Sequence, residues 1–371
     1  MSTIAFYAPM KAPTHRVPSG DRTVARLLVK TLESLGHTVT LASSLRVWDG
    51  GDSERQKLLA ARGRAEAAAL IDGWQAAPPD LWFTYHLYHK APDHLGPRVA
   101  EAFGLPYVVA EPSVAPKQRH GPWAAGYAQS LACLARADAL LPITGDDAAG
   151  LRAAGIPDTR IVTLAPFVDL APYRRPRPKA RETLAKTHGL AHGRLLAVAV
   201  GMMRPGDKLA SYRVLAEAFR SLDRYDIDLL VVGDGPCRAE IEAMFDGRAL
   251  FAGRIAPRSL PGVLAACDLF VWPAINEAYG MALLAAQAAG LPVVAGRARG
   301  VPEIVDDERT GFLTPEDDAD AFAAAVARLA DEPRRRAAMG VAAADNVLRR
   351  HSVEAAAATL DRAIATARAA R

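Results

Sequence analysis

The sequence predicts an α/β protein with two doubly wound parallel sheets, one in each of two domains. Short apolar runs of strand length alternate with longer helical stretches along most of the chain. That alternation is typical of parallel sheets covered by helices on both faces. The chain of 371 residues is longer than one hydrophobic core usually serves. A proline-containing, charged segment at 174–181 has no apolar period and marks the expected junction.

The first half contains the elements of one such sheet. An amphipathic helix is predicted at 24–35 and a long, Ala-rich helix at 54–75. Predicted strands lie at 4–7, 38–43, 81–85, 107–110 and 139–143. The loops after parallel strands share one edge of a sheet, and ligands usually bind there.

The second half repeats this alternation. The helix predicted at 281–289 ends at Gly290, a residue suited to a left-handed helix stop. Glu303 is expected to cap the helix that follows it. Predicted strands are 195–200, a run ending near 232, 269–272 and a run from 292, and the final helices are 319–330 and 352–370.

Composition excludes several classes of protein. Cys133, Cys237 and Cys267 are far apart and share no metal-ligand spacing with each other or with the histidines, so we expect buried thiols and no metal. The net charge of +4 comes without interleaved aromatic and basic residues, which argues against nucleic-acid binding. No apolar run approaches the roughly 18 to 20 residues of a membrane span, and residues 1–9 lack a signal-peptide pattern. We expect a cytoplasmic protein whose mild basicity suits peripheral contact with the inner face of an anionic membrane.

The segment around Gly280 carries the clearest site chemistry. It lies between the strand at 269–272 and the helix at 281–289, so the N–H groups of Gly280 and Met281 would point at an anion such as phosphate. Because like charges repel, Glu277 is better suited to accept hydrogen bonds from sugar hydroxyls than to bind that phosphate. A solvated loop residue or a helix cap would also explain Glu277.

A second loop supplies cations. Gly201 follows the strand at 195–200, and Arg204 and Lys208 stand four residues apart in the expected loop. Glycine lets a phosphate approach the backbone, and the two cations can neutralise both phosphates of a diphosphate. The alternative is that Arg204 and Lys208 are ordinary surface charges, as most Arg/Lys pairs are. The sequence has neither an ATPase phosphate loop nor a Gly-x-Gly-x-x-Gly dinucleotide motif.

The loop after the first strand contains Ser19, Gly20 and Asp21. Gly20 lets the backbone approach a ligand closely. Ser19 or Asp21 would serve equally well as the cap of the next helix. We favour a cap for Ser19 and a ligand contact for Gly20.

Two histidines, two tyrosines and a lysine follow the strand at 81–85 within six residues. Such side chains are costly to bury without partners, and a sugar site would use them. We assign Tyr85, His86 and His89 to that site, because histidine can share protons near neutral pH. A core histidine bonded to the backbone is the alternative for His86.

The third loop of this half, 111–123, is long, polar and rich in proline. It holds Lys117, Arg119 and Trp123, which suit recognition of an acceptor that carries a phosphate or an acidic sugar. A solvated surface would give the same pattern.

Residues 270–295, 301–305 and 310–313 resemble the nucleotide-sugar end of the retaining family 4 glycosyltransferases of the GT-B class. The resemblance is strong from about 195 to 340 and weaker before 137. It implies two Rossmann-like domains facing across a cleft. The implied boundaries are an acceptor-side domain at 1–173, a linker at 174–194, a nucleotide-sugar domain at 195–345, and a C-terminal helix at 346–371 that crosses back to the first domain.

The resemblance also implies roles for individual residues. Arg204 and Lys208 would grip the donor diphosphate, and His86 would contact both the donor sugar and the acceptor. The implied donor-site positions are Gly20, Gly201, Arg204, Lys208, Arg254, Ile255, Glu277, Tyr279, Gly280, Met281 and Ala285. The acceptor-side residues are Asp21, Tyr85, His89, Lys117, Arg119 and Trp123.

Ala285 departs from the family pattern. The family's loop and helix read Glu-x7-Glu, in which the second acid resembles a clamp on the donor ribose; Glu277 is the first acid, and Ala285 stands at the second. Alanine accepts no hydrogen bond from its side chain, so the donor would be held more weakly or differently. The alanine is also consistent with a substitution confined to this sequence or with a loss of transfer.

The expected function is retaining transfer of a sugar from a UDP- or GDP-sugar to a saccharide, glycolipid or other hydroxyl acceptor. Glu277, His86, Arg204 and Lys208 would be the catalytic residues, and neither a metal nor another cofactor is expected. Two alternatives remain. One is a non-catalytic nucleotide-sugar-binding protein of the same fold, and the other is a sugar-nucleotide epimerase or a phosphorylase.

Overall fold

A computed structural model describes residues 1–17, 19–175, 177–189 and 193–371. The chain divides into two compact units. The first unit combines Met1–Ala165 with Val353–Arg371, and the second is Pro166–Ser352. None of the helices in the described ranges combines the length and apolar character that crossing a membrane requires.

The first unit contains a five-stranded parallel sheet in the order β2-β1-β3-β4-β5. Its strands are β1 (Thr3–Tyr7), β2 (Thr38–Ser43), β3 (Leu81–Leu87), β4 (Tyr107–Pro112) and β5 (Ala139–Leu141). Its helices are α1 (Gly20–Ser34), α2 (Ser53–Gly73), α3 (Gly96–Ala102), α4 (Ala124–Arg136), α5 (Gly145–Ala153) and α14 (Val353–Ala369), with short 3-10 helices at Pro116–Gln118 and Asp158–Arg160.

The strand order reverses direction between β1 and β3 in this unit. The connection from β1 runs to β2 on one side, whereas the later strands add on the other side. A reversal of this kind opens a crevice at the carboxyl ends of the two central strands. The loop from β1 to α1 and the residues at the end of β3 therefore lie next to each other.

Local sequence explains how α1 begins. The Ser19 side chain accepts a hydrogen bond from the Arg22 N–H and caps the helix. The expected cap at Ser19 is confirmed. Asp21 lies in the first turn, where a negative charge interacts favourably with the helix dipole.

The second unit contains a six-stranded parallel sheet in the order β11-β10-β9-β6-β7-β8. Its strands are β6 (Leu195–Val200), β7 (Ile227–Val232), β8 (Ala249–Gly253), β9 (Leu269–Trp272), β10 (Val293–Gly296) and β11 (Gly311–Thr314). Its helices are α6 (Ala180–His188), α7 (Asp207–Arg220), α8 (Arg238–Phe245), α9 (Leu260–Leu264), α10 (Met281–Ala288), α11 (Val301–Ile304), α12 (Ala319–Asp331) and α13 (Pro333–Arg350). The strand order reverses between β6 and β9, which places the loops after these two strands side by side.

Residues 174–194 differ from the irregular, charged linker that the sequence analysis expects. They include α6, whose Leu184 is buried in the core of the second unit. A single buried leucine in a nine-residue helix leaves no readable apolar period, which explains the error. Pro176 and residues 190–192 of this segment lie outside the described residues.

Two boundaries and one helix cap differ from those expected. The two units separate after Ala165 instead of residue 173, and α14 begins at Val353, because residues 346–350 still belong to α13. Glu303 lies inside α11 and does not cap a later helix, so that prediction is wrong. Pro302 explains the early start, since proline is well suited to the first turn of a helix.

Candidate functional site

In the second unit, the side chains of Lys208 and Glu277 meet. The Lys208 ammonium forms an ion pair with Glu277 Oε2, and the two side chains are only 19% and 18% exposed. Lys208 lies in the first turn of α7 instead of in the expected loop. The residues are 69 positions apart in the chain, and the adjacent carboxyl ends of β6 and β9 bring them together.

Trp272, the last residue of β9, contacts both members of this pair. Its indole N–H donates to Glu277 Oε2 at 3.3 Å, and the Lys208 ammonium lies 5.2 Å from the centre of its ring. An ammonium over an indole face is attracted by the ring quadrupole. Carboxylate, ammonium and indole therefore form one cluster, which we call the Lys208 cluster. The sequence analysis did not single out Trp272.

Gly201 has a packing role beneath the same cluster. A Cβ added at Gly201 would lie 2.8 Å from Cη2 of Trp272 and 3.1 Å from the Tyr212 hydroxyl. The Tyr212 hydroxyl donates to the Gly201 carbonyl at 2.8 Å. Room for the Trp272 ring therefore explains this glycine without a ligand.

The loop that carries Glu277 is held in an uncommon conformation. Ala274 and Asn276 have φ angles of 57° and 48°, in the left-handed region that non-glycine residues seldom adopt. The Asn276 N–H donates to Glu316 at 2.8 Å, and its side-chain amide donates to Asp207 at 3.1 Å. Strain of this kind persists only where the surroundings enforce it, and it concentrates at functional sites.

Gly280 stands at the start of α10 with a φ of 81°. An added Cβ would lie 2.7 Å from Leu283 Cδ1, so both conformation and space favour glycine there. The first N–H groups of a helix have no partner within the helix and attract anions. In this arrangement, Met281 supplies the first N–H of α10 and Tyr279 precedes it, partly buried against the core.

The other expected donor positions are less closely grouped. Arg204 is exposed between β6 and α7, Arg254 is exposed after β8, and Ile255 packs partly against the core. Ala285 is 7% exposed and belongs to the hydrophobic core. The position that the resemblance assigns to a ribose clamp is thus largely enclosed here, and a small apolar residue suits it.

In the first unit, His86 lies between two carboxylates. His86 Nδ1 is 3.0 Å from Asp21 Oδ1 and 4.0 Å from Glu111 Oε1. The three side chains are between 15% and 24% exposed. We call them the His86 cluster. Asp21 comes from α1, and the other two come from the ends of β3 and β4, so the cluster sits at the reversal of the strand order.

Two residues of the His86 cluster have strained backbones. His86 has a φ of 62° and Glu111 a φ of 54°. Histidine tolerates the left-handed region better than most residues, but a glutamate there is unusual. An observed outlier in a cluster of ionisable groups supports a functional role.

Charge interactions shift the pKa values within the cluster. Burial alone would lower the pKa of His86, but the charge of Glu111, the hydrogen bond to Asp21 and the more distant Asp147 raise it above the usual value. Burial opposes ionisation of Asp21, yet the hydrogen bond from His86 lowers its pKa. Burial raises the pKa of Glu111, and the nearby His86 only partly offsets this. The cluster therefore favours a protonated His86 and an ionised Asp21.

The sequence analysis missed Glu111 as a site residue. His86 was selected because it is a polar residue at the end of a buried strand. Glu111 meets the same criterion at the end of β4. Glu111 Oε2 is enclosed and has no hydrogen-bond partner among the described residues. The Tyr85 side chain, like His86, partly offsets the effect of burial on the pKa of Glu111. Tyr85 is 1% exposed, which leaves little of its surface open for the expected acceptor contact.

Gly20 opens α1 without a structural need for glycine. A Cβ added there would meet nothing within 4 Å, and its φ is not in the left-handed region. A requirement for glycine at this position would have to come from a ligand.

The remaining acceptor-side residues fall into two groups. His89, Lys90 and Trp123 lie together: the His89 and Trp123 ring centres are 5.8 Å apart, and the Lys90 ammonium lies 4.5 Å from the centre of the Trp123 ring. Lys117 and Arg119 are exposed in and just after the short helix that precedes this tryptophan. The charges of Lys90 and Lys117 help to lower the pKa of His89, after the larger effect of burial.

The described residues contain no group of three or more histidine, cysteine, aspartate or glutamate side chains that could hold a metal ion. Cys133, Cys237 and Cys267 are free and buried, as the sequence predicts.

Comparison with known proteins finds a family match within the second unit. Residues 194–332 match the family of glycosyl transferases group 1. A GDP-mannose-dependent alpha-(1-6)-phosphatidylinositol monomannoside mannosyltransferase of Mycolicibacterium smegmatis is 32% identical over 200 residues, which cover 50% of this chain and 51% of the relative. A D-inositol 3-phosphate glycosyltransferase of Streptomyces avermitilis is 28% identical over 302 residues, covering 74% and 63%. The chain spans about half the length of most curated relatives it matches.

Solved structures extend the likeness to the whole fold. HepE of Anabaena, crystallised with UDP-glucose, has a TM-score of 0.73 at 16% identity, covering 99% of this chain and 100% of the other. Sucrose-phosphate synthase of Thermosynechococcus elongatus has a TM-score of 0.76 at 19% identity and full coverage of both chains. The expected fold class is confirmed, since the chain has the GT-B fold, and the expected resemblance agrees with the match of residues 194–332 to the family of glycosyl transferases group 1.

Proposed function

We propose that the protein is a glycosyltransferase that moves a sugar from a nucleoside-diphosphate sugar to a hydroxyl group of an acceptor. The Lys208 cluster carries this proposal. It joins a cation, a carboxylate and an indole at the reversal of a parallel sheet, inside the matched domain. The N-terminus of α10 is nearby, since a Cβ added at Gly280 would lie 3.4 Å from Glu277 Cγ. That combination suits a ligand with a diphosphate at one end and hydroxyl groups at the other.

Each group has a distinct task in the proposed reaction. Cleavage of the donor's glycosidic bond develops negative charge on the departing diphosphate, and Lys208, Arg204 and the first N–H groups of α10 would stabilise that charge. Glu277 would accept hydrogen bonds from the sugar. Lys208 and Glu277 are paired in this structure, so donor binding would exchange the carboxylate on Lys208 for a phosphate.

We also propose that the transferred sugar retains its anomeric configuration and that the reaction needs no metal ion. Protein cations would supply the charge stabilisation that a metal provides in other transferases. Anomeric couplings in the NMR spectrum of the product test retention. Undiminished turnover in excess EDTA tests metal independence, and restoration of activity by Mg²⁺ or Mn²⁺ alone would contradict it.

The donor base is proposed to be uracil or guanine. The mannosyltransferase of M. smegmatis is named as GDP-mannose-dependent, and the HepE structure holds UDP-glucose. GDP-mannose deserves the first test because the sequence relatives are the more similar of the two sets.

The acceptor is proposed to be a saccharide, polyol or glycolipid bound by the first unit. Relatives named for inositol phosphate and phosphatidylinositol mannoside support an acceptor with an anionic group. His86, charged and held by Asp21, would donate a hydrogen bond to the donor sugar or to the incoming hydroxyl group. A lipid acceptor would bring the protein to a membrane surface peripherally.

Turnover of the purified protein with GDP-mannose and UDP-glucose tests the proposal, compared among wild type, Glu277→Gln and Glu240→Gln. Glu240 pairs with Arg213 on the surface of the same unit, so its variant controls for loss of one paired carboxylate. Loss of hydrogen bonds to a charged acceptor costs about 1.5 to 3 kcal/mol each, or roughly ten- to 150-fold. We expect that loss in Glu277→Gln alone. Equal activity of both variants would contradict the role of Glu277.

A non-catalytic nucleotide-sugar-binding protein is the second candidate, and Ala285 favours it. Donor binding without turnover in any acceptor mixture would support this candidate. Ala285→Glu tests whether the donor site lacks only a ribose clamp: a carboxylate that reaches the ribose should tighten nucleotide binding by about tenfold or more. If the new side chain instead stays in the core, the variant should lose thermal stability without tighter binding.

A further inference from the structure

A cavity of about 340 Å³ opens in the first unit between α2 and α4. Val47, Leu59 and Pro92 give it an apolar wall, and Ala125 and Gly126 of α4 form part of another side. Its volume is in the usual range for small-molecule sites. We call it the α2–α4 cavity.

Polar side chains on one face of α2 line the same cavity. Gln56 and Arg64 stand eight residues apart, with Ala60 midway, so all three project from one side of the helix. His94 and Gln129 add nitrogen and oxygen atoms from other elements. An apolar wall facing several donors and acceptors suits the carbon and hydroxyl faces of a sugar or cyclic polyol.

The charge of the lining is positive. Asp49 is its one acidic residue within the described ranges, and that carboxylate is buried and accepts hydrogen bonds from the Gly51 and Asp52 N–H groups and from Gln56. Arg64 is exposed at the cavity, and its charge helps to lower the pKa of His94, after the larger effect of burial. Lys57 also lines the cavity, but it is already paired with Glu54. Arg64 is therefore the cation best placed to meet an anionic substituent.

His89 lines the cavity with unsatisfied hydrogen-bonding capacity. Both of its ring nitrogens are enclosed and lack a partner among the described residues. A buried polar group without a partner is costly. Rotation of the imidazole ring by roughly 180° about the Cβ–Cγ bond exchanges the places of nitrogen and carbon atoms and hardly changes the outline of the ring. Such a rotation can bring a nitrogen to a bound hydroxyl group.

An aromatic chain connects the cavity to the His86 cluster. The ring centres of His86 and Tyr88 are 4.9 Å apart, and those of Tyr88 and His89 are 5.3 Å apart. A ligand in the cavity would thus lie two ring contacts from His86. That separation is comparable with the length of a disaccharide or of a substituted polyol.

We propose that the α2–α4 cavity binds the polar end of the acceptor, a sugar or cyclic polyol that carries an anionic group, with Arg64 binding that anion. The proposal rests on the proposed function, because it names the class of acceptor that the first unit would take. It assigns His89 and the side-chain oxygens of Gln56 and Gln129 to the hydroxyl groups, because the amide N–H groups of both glutamines already donate within the protein.

Calorimetric titration of the full chain with glucose 6-phosphate, glucose and inorganic phosphate tests this assignment. We expect glucose 6-phosphate to bind more tightly than either glucose or phosphate. Arg64→Gln should weaken glucose 6-phosphate binding by about tenfold and leave glucose binding unchanged. Arg62→Gln is the matched control, since Arg62 is an exposed arginine of the same helix outside the lining.

A second variant keeps the test independent of charge. Ala125→Phe places a large ring at an exposed position of the lining and should abolish binding of both sugars. Equal effects of Arg62→Gln and Arg64→Gln, normal binding in Ala125→Phe, or no saturable binding of any probe would overturn the proposal. Parallel titrations with GDP and UDP distinguish failure of the cavity proposal from failure of the proposed function. Binding of a nucleotide without binding of glucose 6-phosphate refutes the cavity proposal alone. Binding of glucose 6-phosphate without binding of either nucleotide refutes the donor assignment.

Discussion

The two units place their functional side chains by the same rule but equip them differently. In each unit, a residue in the first turn of a helix meets residues at or just after the ends of neighbouring strands, close to where the strand order reverses. The Lys208 cluster contains a paired ammonium and carboxylate fixed against an indole, whereas the His86 cluster contains three groups with shifted pKa values. A fixed cation suits binding of a permanent diphosphate charge, and a titratable cluster suits contact with hydroxyl groups. Substitutions in the Lys208 cluster should therefore change turnover by a factor that is the same at all pH values. Substitutions in the His86 cluster should change turnover by a factor that depends on pH.

The largest effect is expected from Lys208→Gln. Removing one preorganised donor to a developing anion costs about 10² to 10³ in turnover. The expected loss should vary little across neutral pH. Turnover of the nucleotide sugar measures it, and Lys186→Gln, an exposed lysine of α6, is the control. If the loss of turnover in Lys208→Gln depended strongly on pH, the proposed difference between the Lys208 cluster and the His86 cluster would be contradicted.

A smaller, pH-dependent effect is expected from Glu111→Gln. The charge of Glu111 helps to raise the pKa of His86, so its removal should lower that pKa and move the alkaline limb of the rate profile to lower pH. NMR titration of the His86 ring measures the pKa directly. An unshifted His86 pKa would contradict the role given to Glu111.

The same variant should be more stable than wild type at neutral pH. The pKa of Glu111 is higher in the folded protein than in the unfolded chain, so folding favours the protonated carboxyl group. The free energy of unfolding therefore falls as the pH rises from the ordinary pKa of a glutamate through the raised pKa of Glu111. Glutamine carries no charge and avoids that loss. Thermal unfolding at pH 4 and pH 7 tests this, and the gain should appear mainly at pH 7.

Trp272→Phe should have a moderate effect. Phenylalanine retains a ring beneath Lys208 but removes the N–H that donates to Glu277. We expect turnover to fall about three- to tenfold, the range for one modest hydrogen bond. Trp272→Leu removes both contacts and should cost more, and equal activity in the two variants would mean that the ring contact contributes nothing.

The smallest effect on folding is expected from Gly20→Ala. Alanine fits the backbone and meets open space, so the free energy of unfolding should rise by about 0.4 to 1 kcal/mol. Nucleotide-sugar binding should weaken if a phosphate approaches this backbone. Unchanged binding would remove Gly20 from the donor site.

Sequence predicts the strands well because buried parallel strands are short, continuous apolar runs. Thr38–Ser43, Leu195–Val200 and Leu269–Trp272 have the same bounds in the structure as in the sequence analysis. The polar helix α6 was missed, since burial of one leucine leaves no period.

Site chemistry was only partly predictable. Glu277, Lys208, His86 and Asp21 could be selected by their place after strands, but their pairings join residues 65 and 69 positions apart and depend on strand order. Trp272 looks like any core residue of a strand in the sequence. Its polar N–H becomes informative only when Glu277 is seen beside it.

Calorimetric titration with GDP and UDP of wild type, Lys208→Gln and Lys186→Gln tests the central claim most directly. The account predicts that wild type and Lys186→Gln bind one nucleotide with equal affinity. Lys208→Gln should bind it roughly ten- to 150-fold more weakly, as expected for loss of a contact to a charged group. If Lys208→Gln binds as tightly as wild type, or if no protein binds either nucleotide, the Lys208 cluster is not a nucleoside-diphosphate site.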